Sequence, residues 1–86
     1  MIEVSYKPSF IRQMNKLEQS LVDEVFYKID IFKNSTNRSE LKIHKLHGKL
    51  KNKWSFSVNY KIRIVFQYES KKEVALLAID DHDVYR

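Results

Sequence analysis

Trp54-Ser55-Phe56-Ser57-Val58-Asn59-Tyr60-Lys61-Ile62-Arg63-Ile64-Val65-Phe66-Gln67-Tyr68 is the stretch that decides the fold. Trp54, Phe56, Val58 and Tyr60 alternate with Ser55, Ser57 and Asn59, and Ile62, Ile64, Phe66 and Tyr68 alternate with Lys61, Arg63 and Gln67. A period of two belongs to strands that bury one face and leave the other open. Glu69-Ser70-Lys71-Lys72 reads as a hairpin turn, and residues 74–79 as a further, mostly apolar strand. Consecutive strands with such short links favour an antiparallel meander.

Upstream, Ile2, Val4 and Tyr6 alternate with Glu3, Ser5 and Lys7, which predicts a short half-buried strand. Pro8 ends it and suits the first turn of a helix, where a missing N–H costs nothing. Phe10, Ile11, Met14 and Leu17 recur at helical spacing. A second helix comes next, with Ser20 as its cap and Leu21, Val25, Ile29 and Phe32 as its apolar stripe; Asn34-Ser35-Thr36-Asn37 is the loop after it. Two amphipathic helices closely joined form an antiparallel hairpin that needs a sheet to cover. The expectation is an α+β fold in the order β-α-α-β-β-β. An N-terminal strand and a helix hairpin pack with a mainly antiparallel four-stranded sheet, and a short turn or helix closes the chain.

At 86 residues the chain has room for a single core, one domain spanning 1–86. No cysteine is present, so neither disulfides nor a thiolate zinc site are available. No apolar run approaches the ~20 residues of a membrane span. Met1-Ile2-Glu3-Val4 lacks the charged and apolar regions of a signal peptide. A cytoplasmic protein without a membrane partner is the expectation.

The charge is unevenly placed. Residues 41–68 contain no Asp or Glu but hold Lys42, Lys45, Lys49, Lys51, Lys53, Lys61 and Arg63, with His44 and His47. Without those seven cations, 9 basic side chains face 11 acidic ones, so the net charge of +5 belongs to one region. A localised positive field suits a polyanion, most commonly nucleic acid. Lys61 and Arg63, two apart, are expected together on the open face of the sheet with Ser55 and Ser57.

The tail Asp80-Asp81-His82-Asp83-Val84-Tyr85-Arg86 carries the remaining chemistry. Cleaving RNA without a metal needs a base for the 2′-hydroxyl, an acid for the leaving oxygen and cations for the transition-state phosphate. Histidine titrates near neutrality and can take either proton role, and arginine meets phosphate with a two-pronged fork. His82, Tyr85 and Arg63 make a minimal set, with His44 as a second proton carrier. The same residues also suit structural roles: His82 capping a strand end, Tyr85 filling a groove. His44 and His47 stand three apart but lack the carboxylate or thiolate that would complete a metal site, and no cofactor motif is present.

In their order, these features resemble the RelE/ParE superfamily of bacterial toxin–antitoxin toxins. The resemblance rests on the strand and helix pair, the basic passage LKIHKLHGKLKNKWSFSV with its Leu46-x-Gly48 step and Trp54-Ser55, then YKIRIVF with Arg63, and the closing HDVYR with His82 and Tyr85. It implies a type II toxin with a cognate antitoxin, an acidic segment wrapping the helices or covering the basic face. RelE-, YoeB- and YafQ-like members cut mRNA in the ribosomal A site without a metal, whereas ParE-like members block DNA gyrase and are not nucleases. The resemblance assigns transition-state support to Arg63, proton transfer to His82, nucleotide orientation to Tyr85 and a second histidine role to His44. Glu40 falls where YoeB-like members carry a general base. Lys49, Lys51, Lys53 and Lys61 fit the residues that dock such toxins on ribosomal RNA, and Lys45 joins them as an RNA-binding candidate. The chain departs from the pattern in Asp81 and Asp83 beside His82, and in Ser57 and Lys61 where YafQ-like members have other catalytic residues. The implied function is a ribosome-dependent mRNA endonuclease; the alternatives are a gyrase inhibitor and a plain RNA-binding domain.

Overall fold

The computed structural model describes residues 1–34, 36–48 and 52–81. Strand β1 (Glu3–Tyr6) leads into helix α1 (Pro8–Met14) and helix α2 (Gln19–Asn34). A 3-10 turn (Ser39–Leu41) then precedes β2 (His44–Lys45), β3 (Trp54–Ser57), β4 (Ile62–Tyr68) and β5 (Glu73–Asp81). The sheet order is β1-β5-β4-β3-β2; β1 runs parallel to β5 and every other pair is antiparallel. The α+β class holds, and the sheet has five strands rather than four. The extra strand, β2, is two residues long inside a lysine-rich passage without alternation, so no periodicity announces it.

Alternation sets the layers. Trp54, Phe56, Ile62, Ile64 and Phe66 face the helices, where Phe10, Met14, Val25, Ile29 and Phe32 complete the core. The Phe32 ring stacks on Phe56 at 4.9 Å and meets Phe66 edge-on at 5.0 Å. Tyr60 breaks the expected pattern and is 94% exposed. The strand stops at Ser57, and the Asn59 side chain closes the turn: its Oδ1 accepts the N–H groups of Lys61 and Ile62, both at 2.8 Å. Ser20 is not the cap of α2. The Glu18 carbonyl accepts the Leu21 and Val22 N–H groups, so the helix has begun before Ser20.

β5 is longer than the strand beside it. β1 serves only Glu73 to Leu76, and α1 covers the later residues of β5. The Gln13 carboxamide donates to the Ile79 carbonyl at 2.8 Å and accepts from the Ile79 N–H at 2.7 Å, as a neighbouring strand would. Ser9 Oγ donates to the Leu77 carbonyl. Gln13→Ala leaves both Ile79 groups without their partners, and we expect a loss of about 1–2 kcal/mol. At 4–8 °C per kcal/mol for a domain of this size, a thermal melt should fall by roughly 5–15 °C.

A register shift lies between Val65 and Phe66: Val65 pairs with Ala78 but Phe66 pairs with Leu76, which leaves Leu77 as an extra residue on β5. The bulge changes the parity of the strand. Val74 and Leu76 are buried two apart, whereas the next core residue is Ile79, three further on. Asp80 is thereby paired with Arg63 on the outer face, and Asp81 with Ile62.

Candidate functional site

The outer face of β2, β3 and β4 is where the predicted residues meet. Arg63 pairs with Ser57 on one side and Asp80 on the other, and His44 pairs with Ser55. Since opposed residues share a face, His44, Ser55, Ser57, Arg63 and Asp80 stand on one surface. The Arg63 side chain lies across β3. Its Nε donates to Ser55 Oγ at 2.9 Å, and its Nη2 donates to the Lys42 carbonyl at 2.7 Å and to the Ser55 carbonyl at 3.3 Å. Lys42 presents that carbonyl from a left-handed conformation with φ +48°, directly after the 3-10 turn. A half-buried guanidinium held from two elements is a fixed positive charge rather than a freely moving one.

The cations do not all share this surface. Lys45 lies on the helix side of the sheet, with Nζ 6.0 Å from the Trp54 ring centre. Lys61 is exposed, but in the turn before β4 rather than on the pleated strand as expected, because Asn59 holds that turn closed. Asn59 also donates to Glu24 of α2 at 3.1 Å, so the turn carrying Lys61 is tied to a helix. Lys53 is half-buried, and its carbonyl accepts the Leu46 N–H at 2.8 Å. Lys49, Lys51, His82 and Tyr85 lie outside the described residues. Glu40 is engaged elsewhere, in an ion pair with Lys28 of α2 at 2.8 Å.

Asp80 and Ser55 are the two site residues whose roles the sequence did not disclose. Both depend on register: only the Leu77 bulge brings Asp80 rather than Ile79 opposite Arg63, and only the β3–β4 pairing lays Arg63 over Ser55. Among the described residues, no group of three or more His, Cys, Asp or Glu side chains comes together to hold a metal. No described helix is long and apolar enough to cross a membrane. Away from this face, an apolar groove of about 530 Å³ runs between α1 and α2, lined by Tyr6, Phe10, Ile11, Met14, Leu17 and Phe26. Burial there pushes the Tyr6 phenol pKa up.

None of the curated proteins matches this chain. Among solved structures, the YoeB/ParE toxin from Agrobacterium tumefaciens superposes with a TM-score of 0.74 at 15% identity, covering 94% of this chain and 99% of the toxin. YafQ from Escherichia coli gives 0.74 at 13% identity over 98% of this chain and 97% of that one. A chain of the toxin–antitoxin complex RelBE2 from Mycobacterium tuberculosis gives 0.71 at 17% identity, over 94% and 98%. At these identities the likeness is one of fold. The sequence pattern of one family, HigB-like toxin, the RelE-like toxin of the type II toxin–antitoxin system HigB, matches residues 10–82. The chain therefore belongs to the HigB-like family of RelE-like toxins and is a type II toxin of the mRNA-interferase class.

Proposed function

We propose that this toxin cuts mRNA on the ribosome, without a metal ion, on the outer face of β2, β3 and β4. Its partners in that reading are the ribosome with its bound message and, because it is a type II toxin, a cognate antitoxin. The observation that carries the proposal is the shared surface of Arg63 and His44, with Lys42 and Lys61 exposed at its margin. Arg63 meets the phosphate whose charge builds up as the 2′-oxygen attacks. The lysines hold the RNA by charge, a sequence-independent contribution that weakens with salt. His44 stands on the correct face for proton transfer, opposite Ser55. His82 is the stronger candidate for the proton-transfer role, because β5 brings Asp80 to Arg63 and the sequence reaches His82 two residues later. Tyr85 then orients or stacks the nucleotide.

Asp80 beside Arg63 has a definite effect in this scheme. A carboxylate next to the phosphate site lowers the local positive potential.

The test is to mix the purified toxin with ribosomes carrying a defined message, and separately with gyrase and relaxed plasmid. Cleavage in the A site with unimpaired supercoiling is the expected result. Intact message at high toxin concentration, together with blocked supercoiling, would sink the proposal.

A further inference from the structure

Ser55 is the one polar residue that is fully buried among the described residues, at 1% exposure, and it is buried on the outer face of the sheet. Its cross-strand neighbours there are His44 and Val65, and the guanidinium of Arg63 lies against it. The contact is specific. Nε of Arg63 donates to the Ser55 hydroxyl, and Nη2, on another corner of the same plane, donates to the Lys42 carbonyl. A planar group held at one point can still pivot. Held at two corners by acceptors on β3 and on a residue just ahead of β2, its plane is fixed.

A long arginine side chain loses rotamer freedom whenever it is ordered, and here that loss is taken on folding, before RNA arrives. Electrostatic support of a transition state is most effective when the charged group does not have to reorganise during the reaction. Displacing such a group by about 1 Å can cost on the order of a hundredfold in rate. A buried hydroxyl under the arginine is therefore a means of aiming it.

We propose that Ser55 is a positioning residue for message cleavage, its hydroxyl fixing the plane of the Arg63 guanidinium toward the scissile phosphate. The inference rests on the nuclease reading above. Three variants separate its contributions. Ser55→Ala removes the acceptor, Ser55→Cys keeps the size with a sulfur that accepts weakly, and Ser55→Thr keeps the hydroxyl.

Two readouts are needed. Hydrogen exchange at the Arg63 Nε–H, followed by nitrogen-resolved NMR of the free toxin, reports the clamp without reference to activity. Steady-state cleavage on programmed ribosomes reports kcat and KM. In Ser55→Ala and Ser55→Cys, Nε–H exchange should accelerate at least about tenfold, and kcat should fall by about 10- to 100-fold with KM within about twofold of the parent. Ser55→Thr should retain both. A fully active Ser55→Ala or Ser55→Cys toxin overturns the inference and leaves Arg63 as a brace between β2 and the sheet. So does a Ser55→Thr toxin that keeps the exchange protection yet loses as much turnover as the alanine variant. An inactive parent toxin whose Nε–H is nevertheless protected overturns the nuclease reading instead, and the catalytic meaning of the clamp with it.

Discussion

Arg63→Ala is expected to reduce kcat for message cleavage on programmed ribosomes by about 10²- to 10³-fold, the usual cost of deleting one preorganised donor to a developing anion. KM should change far less. In the proposed scheme docking is spread over exposed lysines that bind ground and transition states alike, and such uniform binding does not set kcat. Arg63→Lys should recover little, because an ammonium keeps the charge but cannot hold both Ser55 and the Lys42 carbonyl while facing a phosphate. His82→Gln should lower turnover in the same direction by removing the proposed proton carrier. The alanine change also strips Ser55 Oγ of its donor, at about 1–3 kcal/mol for a buried polar group left unpaired. Rates should accordingly be compared well below the melting temperature of each variant. A near-parental kcat in Arg63→Ala, with the fold intact by circular dichroism, would remove the arginine from the chemistry.

Phe32→Ala should have the largest effect on stability. Phe32 is fully buried at the centre of three rings, stacked on Phe56 and edge-on to Phe66, while Arg38 closes the end of α2 by donating to the Phe32 carbonyl at 2.8 Å and lying 5.8 Å from its ring. Truncating a buried phenylalanine costs about 3–5 kcal/mol. Small domains hold only about 5–15 kcal/mol in total. The urea midpoint should therefore fall by about a fifth or more, and a melt by roughly 12–40 °C at the slope expected for this size. Phe26→Ala, half-exposed on the same helix, is the control and should cost far less. Equal losses at the two positions would mean that the helix does not dock as described.

The parts legible in the sequence were those that depend on period. Trp54, Phe56, Ile64 and Phe66 face the core because they alternate, and Val25, Ile29 and Phe32 do so because they recur at helical spacing. Pro8 marks the start of α1 because its ring fits a first helical turn. Features that depend on pairing were not legible. β2 has two residues and no pattern, so nothing in the chain marks His44 as opposite Ser55. Tyr60 continues the alternation of β3 in sequence, yet Asn59 turns the backbone before the strand reaches it. The site divides in the same way. Arg63 could be placed on an outer face from its neighbours Ile62 and Ile64, whereas its bonds to Ser55 and to Lys42, 21 positions away, require the register of three strands. Lys45 shows the hazard of reading charge alone: it sits one residue from His44 and faces the opposite way, over Trp54.

The extra residue at Leu77 bears on what kinds of change this chain tolerates. Substitutions near the end of β5 are judged one side chain at a time, but a change of length is judged by every residue after it. Leu77 is the exception: deleting it would remove the bulge and leave Leu76 opposite Phe66, Ala78 opposite Val65, Ile79 opposite Ile64 and Asp80 opposite Arg63, so the faces on both sides are kept. A second deletion would have no extra residue to absorb it, and would move Asp80 away from Arg63 or turn Ile79 out of the core. Among natural variants of this toxin, the segment from Val74 to Asp80 should thus tolerate the loss of one residue but not of two.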